Sequence, residues 1–382
     1  MVGIGTQAIP TLSAIMVVRL LGSAALAGIG TSLVGAGRFL VSYPIGKITD
    51  TYGRKAGRLL GLSIGLVGSL LIGGSMALLS FPLFVVGVLV FGMGMAGAQQ
   101  LRVAAADMYP PSRRAEGLGW VLTGSVLGAL GGPVLISGAT AVAEAIRAEP
   151  LALTWAFVPL VILPGIVLVF RVHPDPKEIA SNLAHYYPGY TPPIRPPAPA
   201  GGETVGLVAF LRDFPKLAAF VASFAVFGNM SMMMAMTSLT LHQHGYALPT
   251  ISVSVAIHVV GMFGFSLPIG RLADRVGRRR VMLLGLALAG AGSVLVPATS
   301  LYWTITLGTF LVGVGWSCVN VAASALLADT TSPAERGRAI GTNDTFSAVA
   351  SITMPLVAGP VVEYLAFSAL SLVGVGLMVP PL

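Results

Sequence analysis

The sequence predicts an all-α polytopic membrane protein with about twelve transmembrane helices in two pseudo-symmetric six-helix bundles. Three observations predict it. Of 382 residues, 55% are hydrophobic and only 9% are Asp, Glu, Lys or Arg, with a mean hydropathy of +0.87. A soluble domain carries about 25% charged residues, and no soluble fold hides so much apolar surface. Apolar runs of ~20 residues, the length of a helix that crosses hydrocarbon, recur along the whole chain. Two short charged patterns also recur, each at nearly the same distance from its copy.

The expected spans, in order, are 2–21, 24–46, 59–79, 82–106, 117–142, 151–171, 215–240, 248–269, 281–300, 302–328, 338–361 and 365–381. The first falls ~10 residues short of its counterpart, the seventh, so the chain reads as starting late in its first helix. No basic leader or cleavage site precedes it, so no removable leader is expected. The single cysteine, Cys318, excludes an internal disulfide and any multi-cysteine metal site.

The net charge of +8 would suggest a nucleic-acid partner in a soluble protein. Here it follows from topology, because basic residues are retained in cytoplasmic loops. Of the 22 Lys and Arg, all but Arg19, Arg38, Arg102 and Arg147 fall on one side once the Gly46 loop is placed in the cytoplasm. Both termini are then cytoplasmic, in a multi-pass protein of the cell membrane, and no nucleic-acid partner is expected.

Between the sixth and seventh spans lies the tract "TPPIRPPAPAGG", proline-rich and polar, which stays extended and builds no core. It divides the chain into a first half, 1–172, a cytoplasmic linker, 173–214, and a second half, 215–382. The halves repeat each other. Gly46, Asp50, Gly53 and Arg54 match Gly270, Asp274, Gly277 and Arg278, a shift of 224 from 50 to 274. Asp107, Pro111, Arg114 and Gly119 match Asp329, Pro333, Arg336 and Gly341, a shift of 222 from 107 to 329, which Pro133 and Pro355 keep. A shared loop composition would explain the basic residues but not the spacing. Parallel repeats about an axis along the membrane normal, with substrate held between them, are a recurring carrier architecture.

"GKITDTYGRKAG" and "GRLADRVGRRR" resemble the "G-x-L-x-D-R-x-G-R-K/R" loop signature of the major facilitator superfamily. Two copies, each after the second helix of a six-helix half, extend the resemblance over essentially the whole chain. The first copy departs from it: Lys47-Ile48-Thr49 precede Asp50, and Thr51 stands where Arg is usual. The resemblance implies a transporter, not an enzyme. It implies that Asp50 sits against the N-terminus of the eleventh helix in the opposite half, where orphan N–H groups favour an anion by ~0.3–2 kcal/mol. Arg54 is then placed to pair with Asp107, while Asp274, Arg278 and Asp329 repeat the arrangement. Lys55, Arg114, Arg279 and Arg336 complete the charged frames. Such contacts, made only when the cytoplasmic side is closed, bias a two-state equilibrium. A pure topology role would account for the cations but not for the aspartates or glycines.

In the fifth span, Gly119, Gly128, Gly132 and Pro133 fit "G-x8-G-x3-G-P". This resembles the antiporter frame of drug–proton exchangers, with Ile136 and Ser137 where paired glycines are usual. Ordinary small-residue packing reads the same glycines without antiport.

Ionisable groups inside a membrane are costly and usually functional. Arg19 snorkels at the outer end of the first span. Arg38 pairs elsewhere or faces a cavity. Arg102 anchors the gate or meets an anionic substrate. Asp344, in "GTNDTFSA", carries a proton or caps a helix start together with Asn343. The family's fourth-helix arginine is absent, with Val88 in its place, and the first span has no acid; both weaken proton coupling. Gln99, Gln100, Asn229, His258, Trp316 and Asn320 are uncharged candidates for a substrate or proton site, each read equally well as a helix–helix hydrogen bond. The methionines of "NMSMMMAM" adapt to ligands or fill gaps. "GMGMAG" fits a dinucleotide fingerprint, but no strand precedes it. His242 and His244 lack acidic or thiol company. No metal, cofactor or catalytic constellation is expected.

The resulting reading is a monomeric secondary carrier exporting small lipophilic molecules in exchange for protons. The alternatives are an uptake symporter or facilitator for a sugar, metabolite or organic anion, and a non-transporting membrane receptor.

Overall fold

A computed structural model describes residues 8–110, 114–188, 190, 211–331 and 333–381. Among these residues all regular structure is helical: α1 Ala8–Leu21, α2 Ile29–Tyr52, α3 Arg54–Ala77, α4 Phe81–Asp107, α5 Arg114–Ile146, α6 Pro150–Arg171, α7 Pro176–Ser181, α8 Leu183–Tyr186, α9 Phe214–Gln243, α10 Leu248–Phe263, α11 Ser266–Val276, α12 Arg278–Leu295, α13 Tyr302–Thr330, α14 Pro333–Tyr364 and α15 Ala369–Met378, with 3-10 turns at Ala24–Leu26 and Val296–Ala298. Nine described helices are long and apolar enough to cross a membrane, and three shorter apolar ones, Ala8–Leu21, Phe81–Gly97 and Ala369–Met378, make up the expected twelve. In hydrocarbon the backbone must satisfy its own hydrogen bonds, and among the described residues it does so within helices.

The helix ends correct the expected spans. α3 starts at Arg54 rather than 59, because the charged loop is a single turn around Gly53. The eighth span is two helices, broken after Phe263. α14 starts at Pro333, so Asn343 and Asp344 lie about three turns inside it and do not cap its start. The linker begins with α7 and α8, while its proline-rich tract lies outside the described residues.

Two apolar cores organise the bundle. The larger joins Leu12, Met16, Phe84 and Trp155 to Met232, Met233, Met236, Leu239 and Ala358, so it draws on both halves. Met232, Met233 and Met236 of the methionine run are thus packed where the halves meet. The smaller core holds Phe220, Ile269, Val281, Leu327 and Ala339, and all its members follow residue 218. It lies toward the end of the bundle that carries the Gly53 and Gly277 loops, here called the motif face. α1 packs on α9, α2 on α14 and α5 on α10 across the halves. Ser238 Oγ donates to Pro10 O at 2.6 Å and Ser32 Oγ to Ile352 O at 2.6 Å. At the opposite end Arg19 reaches Glu149 at 2.6 Å, so it pairs where snorkelling was expected.

Candidate functional site

The motif loop of the second half brings Arg278 to Asp329, the pairing the resemblance implies, and holds Asp274 within its own half. α11 ends at Gly277, whose φ of +99° is a conformation that side chains with a Cβ resist, and α12 begins at the next residue. That tight turn sets Arg278 beside Asp274, one helical turn back, and the two are ion-paired. Arg278 Nε also donates to Asp329 Oδ2 at the end of α13, at 3.2 Å. The three residues are thus together, and both carboxylates remain largely exposed, 66% at Asp274 and 58% at Asp329. Gly270 packs on Val321 of α13, and Arg279 is exposed and outside the cluster.

The first-half loop repeats the backbone turn, while the side chains of Asp50 and Asp107, the counterparts of Asp274 and Asp329, lie outside the described residues. Gly53 has φ +100° between α2 and α3. Its N–H-bearing neighbours are met by a carboxylate from another segment: Asp175 accepts from Arg54 N at 3.1 Å, Lys55 N at 3.0 Å and Lys177 N at 2.8 Å. A Cβ at Gly53 would lie 2.6 Å from Asp175 Oδ2, so glycine is needed there for contact as well as conformation. Burial opposes the charge on Asp175, but the N–H donors of Lys177, Lys55 and Arg54, with the Arg54 charge, hold its carboxyl below the ordinary range. Lys177 Nζ donates to Thr51 O at 3.2 Å, bringing a cation to the position where the first copy lacks its arginine. Lys55 Nζ lies 3.4 Å from His173 Nε2 and 5.0 Å over the Phe170 ring. Sequence reasoning missed Asp175. "DPKE" is legible as a helix start, with Asp N-cap, Pro next and Glu after it, but its docking partner is not.

Gly46, Asp50, Gln99, Gln100, Arg102, Asp107, Arg114, Gly119 and Arg336 have side-chain surroundings outside the described residues. Gly128 and Gly132 are buried and Pro133 half-buried within an unbroken α5.

Among the described residues, Asn229, His258 and Trp316 are each held by neighbours within the second half. Asn229 is fully buried between α9, α12 and α15: Ser293 Oγ reaches its Oδ1 at 2.8 Å, and Gly374 closes over it. His258 is buried against Gly313, its Nδ1 2.6 Å from Thr309 O, which fixes α10 to α13. Both are helix–helix contacts inside the second half. Trp316 is 5% exposed and set edge-on to Phe227 at 5.1 Å and Phe263 at 5.7 Å. Its indole N–H has no hydrogen-bond partner among the described residues. Asn320 and Arg38 are half-buried, and Asp344 is exposed on α14. The "GMGMAG" glycines serve packing, Gly94 against the backbone of Gly65.

The sequence profile of the Major Facilitator Superfamily matches residues 1–228 and 218–380. An uncharacterized MFS-type transporter, YddS of Bacillus subtilis (strain 168), is 29% identical over 97% of this chain and 84% of its own. The riboflavin transporter RfnT of Brucella anthropi is 25% identical over 84% of this chain and 76% of its own. The class B tetracycline resistance protein of Escherichia coli is 34% identical, over 29% of this chain and 26% of its own. The crystal structure of the nucleoside transporter NupG superposes with a TM-score of 0.72 at 15% identity, covering 100% of this chain and 94% of that one.

Proposed function

The chain belongs to the Major Facilitator Superfamily, and from that premise we propose that it exports small, lipophilic molecules in exchange for protons. It is a multi-pass membrane transporter rather than an enzyme. We read residues 1–172 and 215–382 as two units that rock about a shared central site, with 173–214 linking them. The motif face is taken as cytoplasmic, from the basic loops. The functional unit is taken as a monomer in the cell membrane.

One observation carries alternating access. The halves share a core and close polar contacts toward the far face, whereas the carboxylates of the Gly277 loop are solvent-exposed and paired within their own half. This fits a state open at the motif face. In the other state Asp274 and Asp50 would meet the opposite half, at a cost and gain of a few kcal/mol that leaves both states accessible. Proton coupling is read from Asp344. It is an acid about three turns from the start of a 32-residue helix and farther still from its end, a place where a permanent charge is costly and a titrating one useful. A drug-like substrate is supported by the tetracycline resistance relative and the α5 frame. The riboflavin relative, which covers more of the chain, favours the alternative of a metabolite carrier.

Proteoliposomes with an imposed pH gradient test the reading, using tetracycline and riboflavin as probes. Gradient-driven tetracycline movement that Asp344→Asn abolishes is the expected result. Counterflow of either probe that ignores the gradient, and is unchanged in Asp344→Asn, would replace the exchanger with a facilitator.

A further inference from the structure

The seam between α2 and α14 is closer than side-chain packing allows. A Cβ at Gly28 would lie 1.7 Å from Pro355 O, and one at Gly359 would lie 2.0 Å from Ala25 O. With Ser32 bonded to Ile352 O, the stripe 28, 32, 35 on one helix faces 352, 355, 359 on the other. At the far end of this stripe, one helical turn beyond Gly359, stands Glu363. Its Oε2 accepts from Ala24 N at 2.9 Å and Ala25 N at 3.2 Å. An acid of the second half is thereby bonded to two backbone N–H groups of the first, at the mouth of the face that is closed.

We propose that Glu363 is the latch of the far face: its carboxylate holds the halves together there and must release Ala24 and Ala25 each time that face opens. Three features favour a latch over a mere contact. Glu363 is exposed, so water replaces the lost bonds on release and opening is not prohibitive. A carboxylate bonded to N–H groups is stronger than a neutral contact, yet still only of switching size. And the latch sits on one seam alone. The repeat offset of 222 carries Glu363 to Ala141 on α5, and the offset of 224 carries Ala25 to Pro249, which has no N–H to give. The α5–α10 seam thus lacks the acid at that place, while Leu248, the counterpart of Ala24, keeps its N–H, so the charged contact to be broken belongs to the α2–α14 seam.

The proposal rests on the alternating-access reading, and one experiment separates the two. Spin labels are placed at Leu78 and Leu301, exposed on far-face loops of different halves, and in a second pair at Tyr52 and Val276 on the motif face. Distances are measured in the full chain in nanodiscs, with Cys318, the single native cysteine, replaced by Ala. Glu363→Ala is expected to raise the long-distance population of the 78–301 pair about threefold or more, and to shorten the 52–276 distance in step. Glu363→Gln, which keeps a carbonyl acceptor without the charge, falls between. A 78–301 pair that lengthens while 52–276 stays fixed would mean a loosened seam and no latch. Unchanged distributions in Glu363→Ala, in a protein melting at the parent's Tm, would overturn the latch as well. If instead each pair of the parent shows one distance population in nanodiscs at every pH and with either probe, the alternating reading itself falls.

Discussion

The loops at Gly53 and Gly277 share one backbone turn, and a further segment docks on the first of them. They share a shift of 224, a glycine at φ +100° or +99° and an Arg immediately after it. In the second copy the cation finds acids of its own half, Asp274 and Asp329. In the first, the two N–H groups after the glycine are taken by Asp175, and Lys177 reaches the Thr51 carbonyl. α6 runs straight into a segment that folds back on the first loop, bringing Asp175 to it. A duplicated backbone turn therefore fixes where orphan donors and cations stand, and whatever segment lies next decides what satisfies them.

The largest break in this comparison comes from the glycines. Gly53→Ala and Gly277→Ala each force a Cβ into a glycine-only conformation, worth ~1–3 kcal/mol. Only at Gly53 does the new methyl also displace the Asp175 carboxylate, since nothing lies within 4 Å at Gly277. Gly53→Ala should therefore lower the Tm in detergent more than Gly277→Ala. Equal losses would mean that Asp175 contributes nothing.

Asp175→Ala comes next. Losing a cap costs ~0.5–2 kcal/mol, and the loss should appear as faster amide exchange at Arg54 and Lys55, with the amides of Arg278 and Arg279 unmoved. Acid sharpens the same test. Because the Asp175 carboxyl is held below its ordinary range, its stabilisation is complete above that range and fades as pH falls through the depressed value. Protection at Arg54 and Lys55 should fade in that acid window in the parent and show no such step in Asp175→Ala.

The smallest effect on stability belongs to Asp274→Asn and Asp329→Asn. Exposed pairs are worth ~0–1 kcal/mol, so the Tm should hardly shift. Asp274→Asn should still disfavour closure of the motif face, raising the labelling of cysteines placed in the cavity from that side. Unchanged labelling would reduce the second loop to a topology feature.

Much of this was legible before any coordinates. Composition and run length decide that lipid surrounds the chain, and the two charged frames locate both turns and the group of Asp274, Arg278 and Asp329. The candidates inside the helices were not legible. In a helix that is apolar on every side, no periodicity tells which face meets a cavity and which meets a neighbour. So Asn229 and His258 read as possible ligand contacts, and packing made them ties to Ser293 and Thr309. Asp344 read equally as a cap, until α14 proved to begin eleven residues earlier, at Pro333.

By itself the sequence determined the solvent, the order of the apolar spans, the duplicated turns and the family, because hydrophobic run length, glycine geometry and charge spacing are local or periodic properties. Tertiary structure alone decided the partners of Asp175 and Glu363. Each bonds backbone N–H groups 120 and 339 residues away, and every non-proline residue offers the same N–H. Only the meeting of distant segments in space selects which ones a carboxylate reaches.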